Sequence, residues 1–399
     1  MKVRLRDVAT VINGVTYKPS DIRYPSCDGS IPILRATNIQ NGALDLSDTV
    51  YIDVNKVAQQ QMLQNGDIII CASSGSKNLV GKAAQITIVT PLSFGSFCKV
   101  VRPNNINPEY LYFFFQSPTY RHLISEASIG ANINNIRNSH ILDLQIPVPN
   151  INKQKNICEH LGSLSNQITK RNQQAIILDQ LVKSRFMEMF GDLSSPSCRW
   201  NKNKLSHICV NYDDIKCGPF GTQLNKNEYT ATGVPIWEIA QINSMFTTKP
   251  VHFITQDKAV SLNAYSIKPG DIAMSRKGNV GRCAIFPETL QNGIIHSDIL
   301  RIRVDQNQVL PVFIVHQLRY SNHVKHQIEL VSSGAIMAGI NVTKLKQIEI
   351  HIPPLPLQQQ FAAFVEKVDK SKFIVGARLA GRLCRKILTK LSLSEADYD

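Results

Sequence analysis

Ile31-Pro32-Ile33-Leu34-Arg35-Ala36-Thr37-Asn38-Ile39 returns later in this chain as Val234-Pro235-Ile236-Trp237-Glu238-Ile239-Ala240-Gln241-Ile242, an offset of 203 (236 minus 33). Gly66-Asp67-Ile68 returns as Gly270-Asp271-Ile272, Val80-Gly81-Lys82 as Val280-Gly281-Arg282, and Gly130 as Gly334. Ile146-Pro147-Val148-Pro149 returns as Ile350-His351-Ile352-Pro353-Pro354. A repeat kept in register over such a distance constrains the fold more than any other feature, because one unit must be built twice.

Each proline-rich segment leads into a long stretch without proline. The first, Asn152 to Asp192, has glycine only at Gly162 and Gly191. It places Ile157, Leu161, Leu164, Ile168, Ala175, Leu178, Val182 and Met189 in a four-three alternation that only Arg171 and Arg185 interrupt. That is the period of a helix packed along another helix, and Gly191 supplies its cap. The second stretch, Gln358 to Leu391, lines up Phe361, Val365, Val368, Val375, Leu379, Leu383, Ile387 and Leu391. Two helices of roughly 35 residues would each be about 50 Å long. The expected order is a globular domain over 1–150, a helix over 151–192, a second globular domain over 193–355 and a second helix over 356–399.

The globular parts read as β-rich, giving an α+β chain. Ile68–Ala72, Ala84–Val89 and Phe97–Val101 are short β-branched runs bounded by turn residues, repeated as Ile272–Met274 and Ile299–Val304. Helical spacing predicts a short helix from Pro108 to His122 and another from Pro311 to Leu330.

The net charge of +14 is distributed as +3, +2, +6 and +3 over the four segments, so the folded body is basic throughout. A polyanionic partner is the implication. No apolar run approaches the ~20 residues that span a bilayer. Met1-Lys2-Val3-Arg4 leads into a charged segment rather than a signal sequence, so the expected location is the cytoplasm, with no membrane partner. The nine cysteines contain no C-x-x-C, and Cys71, Cys98 and Cys283 lie in apolar runs, which predicts buried reduced thiols.

Three constellations suggest catalysis or metal binding and fall short of it. Gly75 to Ala83 resembles a phosphate-binding loop, but its glycines are six apart and Ala83 stands where a hydroxyl must hold Mg²⁺. It reads better as a polar loop able to touch DNA, as does Ser275-Arg276-Lys277-Gly278-Asn279. His323, His326 and Glu329 share a helix face, yet no further ligand is placed to complete a metal site. Asp214-Ile215-Lys216 is the only D/E-x-K of nuclease type, and its neighbour Asp213 is adjacent rather than across a hairpin. The N-P-P-Y or D-P-P-Y tetrapeptide of amino-methyltransferases does not occur, nor does a G-x-G-x-x-G after a strand.

The chain resembles a type I restriction-modification specificity (S) subunit over its entire length. The resemblance rests on Leu178 to Asp192 ending the first long stretch, Leu357-Gln358-Gln359-Gln360-Phe361-Ala362 opening the second, Gly218-Pro219-Phe220-Gly221, and the two proline-rich segments, all in register within the repeat. The first domain departs from the pattern with Asn13-Gly14-Val15-Thr16-Tyr17 in place of Gly-Pro-Phe-Gly. The resemblance implies two target-recognition domains, each reading half of a split double-stranded DNA site, and two helices paired as an antiparallel coiled coil. It implies docking of methyltransferase subunits, two in number, and of restriction subunits. No cofactor is expected in this chain, with S-adenosylmethionine, ATP and Mg²⁺ on the partners.

The DNA-reading candidates in the first domain are Arg35, Asn38, Ser74, Lys77, Asn78, Asn132, Asn134, Asn135 and Arg137. In the second they are Lys216, Thr222, Gln223, Lys226, Glu238, Gln241, Arg276, Lys277 and Asn279. These side chains match base-edge donors and acceptors. For the coiled coil and partner docking the candidates are Ile157, Leu161, Leu164, Ile168, Leu178, Arg185, Phe361, Val368, Leu379 and Leu383. Arg378, Arg382, Arg385, Lys386 and Lys390 suit either a helix C-terminus or an acidic partner. On sequence alone two other classes stay open: a single-chain methyltransferase or nuclease with an unfamiliar centre, and an interaction scaffold without a DNA role.

Overall fold

The computed structural model describes residues 2–25, 28–76, 79–87, 91–127, 134–195, 198–332 and 339–376. It divides into a first unit, whose described residues run to Asn172 and include Gly376, and a second unit, Gln173–Val375. The central helix, Ile151–Phe190, contributes residues to both. It stops at Gly191, whose positive φ of 75° lets its N–H turn back to the Met187 carbonyl at 2.8 Å.

The first unit holds an antiparallel sheet in the order Ala83–Gln85, Ile68–Cys71, Cys98–Pro103, Ala9–Asn13. A second sheet runs Ser93–Phe94, Ser30–Leu34, Val50–Asp53, Ile22–Arg23, with Ser93 and Ile33 in parallel register. Lys2–Arg4 pairs with Gln145–Pro147 as a ribbon just before the central helix.

The second unit repeats this plan. Its antiparallel sheet runs Cys283–Ile285, Ile272–Ser275, Ile299–Ile302, Ile215–Cys217. The other joins Phe253–Ile254, Val234–Trp237 and Gly293–Ile295, again with a parallel pair, Ile236 with Ile294. Asn201–Lys204 and Glu349–Ile352 form the ribbon. The fourth strands differ: Ile22–Arg23 adds beside Val50–Asp53, whereas Ser266–Ile267 adds beside Gly293–Ile295.

The continuous apolar run Ile68–Cys71 follows from burial on both faces. Ile68 and Ile70 point into a core with Leu111, Phe115 and Tyr120, while Ile69 and Cys71 point into another with Leu34 and Phe94. Ile272 and Met274 against Ala273 divide two cores of the second unit in the same way. The run expected over Ala84–Val89 is a strand only over Ala83–Gln85, and its last two residues lie outside the described ones.

Each helix expected after the sheets is two. Pro108–Gln116 gives way to Pro118–Ala127, and Pro311–Tyr320 to Asn322–Ser332. The breaks fall at buried serines, Ser117 and Ser321, whose hydroxyls accept from the N–H groups of Tyr120 at 3.1 Å and Val324 at 3.4 Å. A serine that caps the following helix offers the backbone a better bond than continuing the previous one.

The repeated Gly-Asp-Ile is a buried clasp. Asp67 accepts two hydrogen bonds from Arg102 at 2.9 and 2.8 Å, and Asp271 two from Arg303 at 2.7 and 2.6 Å. Both carboxylates also accept from the backbone three residues upstream, Gln64 and Lys268.

In the second unit the C-terminal half of the central helix packs against Leu355–Gly376. Phe186 and Phe190 lie 5.4 and 5.5 Å from the Phe361 ring, and Val182, Val365 and Val368 share their core. Further along, Arg185 sits 5.8 Å over the Phe364 ring and Lys372 Nζ is 2.7 Å from Asp179, so the two helices run antiparallel. In the first unit Cys158 and Leu161 are buried, and Ile157, Leu164 and Ile168 are half-buried. Leu178 and Met189 are half-buried in the second unit. Val182, on the seam expected from spacing, is buried, as are Phe186 and Phe190, which flank that seam. Leu379, Leu383, Ile387, Leu391 and the basic residues Arg378 to Lys390 lie outside the described residues. No described helix is long and apolar enough to cross a membrane.

Candidate nucleic-acid interface

In each unit main-chain hydrogen bonds continue the parallel strand pair and the antiparallel sheet beyond their last strand residues, and the chain runs directly from one to the other. In the first, Gly95 N–H donates to Leu34 O at 2.9 Å, Ala72 N–H to Phe97 O at 2.9 Å, and Ile136 N–H to Ala72 O at 2.8 Å. In the second, His296 N–H donates to Trp237 O at 2.9 Å, Arg276 N–H to Asp298 O at 2.9 Å, and Ile340 N–H to Arg276 O at 3.1 Å. Ser73 pairs with Asn135 and Lys277 with Gly339 alongside. These rungs form one frame used twice, and the side chains standing on it differ.

A glycine crosses each frame. Any Cβ at Gly14 would collide with the Gly95 carbonyl, and any Cβ at Gly218 with those of Ile295 and His296. The segment Asn13 to Tyr17 and the Gly-Pro-Phe-Gly segment are therefore structural equivalents despite their different letters. The first domain displays Phe97, 68% exposed, and the second Phe220, 52% exposed, close to these crossings.

In the second domain Phe220 lies 5.2 Å from the Arg276 guanidinium. Arg276 is fixed by Nε donating to Ile340 O at 3.2 Å and Nη1 to Ser297 O at 3.3 Å. Lys277 Nζ is 2.8 Å from Asp298 Oδ1. Glu238 Oε2 accepts from His252 Nδ1 at 3.0 Å, and the His252 ring lies 4.9 Å from Tyr229. Burial, then the carboxylates of Glu238 and Asp298, raise the Tyr229 hydroxyl pKa above its usual value. Beside it, the Tyr265 hydroxyl donates to Gln223 Oε1 at 3.0 Å and its ring lies 5.9 Å from Lys216 Nζ. Thr222, Lys226 and Asn279 are exposed.

The first domain is sparser. Arg35 Nη2 is 2.6 Å from Asp48 Oδ2, and Ser74 is half-buried, its hydroxyl accepting from Ser76 N–H at 3.2 Å. Arg137 is exposed, and Asn134 lies in the short strand opposite Ser74. Lys77, Asn78 and Asn132 lie outside the described residues. Sequence reasoning passed over Lys99, which donates to Asn13 at 2.7 Å and Asn138 at 2.5 Å, because it sits inside a strand-like run. Burial pulls its ammonium pKa down.

Two candidates do not reach the surface. Asn38 is buried, accepting from Arg35 N–H at 2.7 Å and donating to Asp45 O at 2.7 Å and Asp48 O at 2.9 Å. Gln241 is buried likewise, accepting from Glu238 N–H at 3.0 Å and donating to Lys249 O at 3.0 Å. Their amides are spent holding the turns that carry Arg35 and Glu238, so they are not placed to contact a ligand. The D/E-x-K acid, Asp214, is buried too, accepting from Asn211 N–H at 2.9 Å with Arg301 Nη2 at 3.5 Å. That clasp leaves the carboxylate no open face for a metal. Among the described residues no group of three or more His, Cys, Asp or Glu is arranged to hold one.

A family model for the type I restriction modification DNA specificity domain matches the chain twice, over residues 1–178 and 200–378. The chain is 31% identical over 384 residues to the type I restriction enzyme StySPI specificity subunit of Salmonella potsdam, covering 90% of this chain and 80% of that one. It is 28% identical over 402 residues to the EcoKI specificity subunit of Escherichia coli K12, covering 96% and 86%. A crystal structure of a type I restriction-modification S subunit from M. genitalium superposes with a TM-score of 0.54 at 14% identity, covering 98% of this chain and 92% of that one.

Proposed function

The chain belongs to the type I restriction modification DNA specificity family, as a non-catalytic specificity subunit with two target-recognition domains, and from that premise we propose that each domain reads one half of a bipartite DNA site. The observation that carries this reading is the frame used twice with different side chains. A constant main-chain support with variable lettering is what two unlike half-sites require.

Base-edge contacts from the frame supply sequence information, and surrounding cations such as Lys99, Lys216, Lys226 and Arg137 supply phosphate attraction. The central helix of 40 residues is roughly 60 Å long. As a stiff spacer it suits half-sites about one DNA turn, 34–36 Å, apart, which a flexible linker could not hold. Two methyltransferase subunits dock on the helices and restriction subunits join them. The methyltransferase flips and methylates the adenine, with S-adenosylmethionine, ATP and Mg²⁺ on those partners.

The test is co-expression of this chain with its methyltransferase subunit, followed by mapping of methylated adenines in the host genome. Methylation at a single split motif, lost when this chain is removed, is expected. Methylation that persists without it would overturn the reading. Binding of the assembled complex should also weaken steeply with salt.

A further inference from the structure

Arg35 and Glu238 occupy equivalent places. Each follows the residue that accepts the first rung of the frame, Leu34 or Trp237, and each donates its own N–H to the buried amide three residues on, Asn38 or Gln241. Each then pairs with a side chain just ahead of the adjacent antiparallel strand, Asp48 before Val50–Asp53 or His252 before Phe253–Ile254. The polarity is reversed between the two. The turn holds a base with an acid opposite in the first domain, and an acid with a base opposite in the second.

We infer that this reversed pair is a base-pair reader in each domain, with Arg35 donating to guanine and Glu238 accepting from the amino group of cytosine. The inference rests on the DNA reading proposed above. A cation already matched by a neighbouring carboxylate releases few counterions and makes a weak phosphate anchor. A donor held beside an acceptor instead complements the edge of a G·C pair in the major groove, where guanine offers O6 and N7 and cytosine offers its N4 amino group. Arg35 is suited to this, since its Nη2 is held by Asp48 at 2.6 Å while the side chain stays 34% exposed; its Nε is enclosed and is not the donor offered. Asp48, 78% exposed, and His252, 42% exposed, aim their partners and leave the pairs open to solvent.

The experiment uses the full chain assembled with its methyltransferase subunit, and duplexes carrying the mapped motif with each base pair replaced in turn. Arg35→Gln should lower the preference for G at one position of one half-site by tenfold or more, leaving the other half-site unchanged. Glu238→Gln should do so for C in the other half-site, and the double variant Glu238→Arg with His252→Asp should shift that position from C toward G. Unfolding midpoints matching the wild type confirm that the variants fold. Equal loss of affinity for every duplex would assign the residues to phosphate and overturn the proposal, as would unchanged base preference. A wild-type complex with no preference for any duplex would instead sink the DNA reading beneath it.

Discussion

Gln154 and Gln358 stand 204 positions apart and make the same hydrogen bonds in their own units. Gln154 Oε1 accepts from Asn107 N–H at 2.9 Å and its Nε2 donates to Pro149 O at 2.8 Å. Gln358 Oε1 accepts from Leu310 N–H at 2.8 Å and its Nε2 donates to Pro353 O at 2.8 Å. Each buried amide ties the start of a long helix to the proline turn before it and to the residue that caps a domain helix. Replacing either with alanine leaves a donor and an acceptor unsatisfied. Each variant should lose about 1–3 kcal/mol, read as a lower denaturant midpoint.

The Asp271–Arg303 clasp offers a sharper test. Asp271 is buried and both its oxygens are engaged by one guanidinium. Asp271→Ala leaves the half-buried Arg303 only the more distant Asp214 carboxylate, at 3.8 Å, and removes the acceptor of the Lys268 N–H, and should cost about 1–3 kcal/mol. Glu188→Ala, which removes the exposed Arg185–Glu188 pair, should change stability by less than about 1 kcal/mol. Chemical denaturation of both variants checks the contrast.

His316 gives the fold a pH dependence. Burial pulls its pKa down to about 4, below the ordinary value of 6.5, while Nδ1 donates to Val312 O at 2.7 Å. The unfolded chain therefore binds more protons than the folded one between about 4 and 6.5. The stability from this residue is complete above pH 6.5 and is lost as pH falls toward 4, at up to about 1.4 kcal/mol per pH unit. His323 and His351, also lowered by burial, act in the same direction. His316→Gln should flatten part of the slope measured by unfolding between pH 7 and pH 4.5.

Gly218 is required by space, since its backbone passes against the carbonyls of Ile295 and His296. Gly218→Ala should force the frame apart at a cost of about 1–3 kcal/mol and weaken DNA binding by the assembled complex. Gly221→Ala, with nothing within 4 Å of the added carbon, should leave both unchanged. Equal behaviour of the two variants would remove the crossing from the reading surface.

The duplication, the central helix and the main sheet strands were legible because each rests on local periodicity or on repeated letters. Asn38 and Gln241 were misplaced at the surface for a physical reason: a polar residue in a turn reads the same whether its amide faces water or closes the turn from inside. The frame itself left no mark in the sequence. Its rungs join Leu34 to Gly95 and Ala72 to Phe97 and Ile136 through backbone atoms, which every residue carries. Phe97 stood in the sequence only as the start of a strand-like run and Phe220 only as a letter of Gly-Pro-Phe-Gly, with nothing to mark either as exposed, whereas Arg35, Arg137, Lys216, Lys226, Glu238, Arg276 and Lys277 stood out by charge.

Because each rung is peptide to peptide, mutation can rewrite what stands on it without loosening the plank beneath. Proline is barred from the donor positions Ala72, Gly95 and Ile136, and from Arg276, His296 and Ile340, for want of an N–H, and the buried side chains of Ala72, Ile136 and Ile340 must in addition stay small or apolar. Substitution of the partly exposed Arg35 or Glu238 side chains leaves every one of these peptide-to-peptide bonds in place, so what a domain presents and what holds it up are written in different atoms of the same chain.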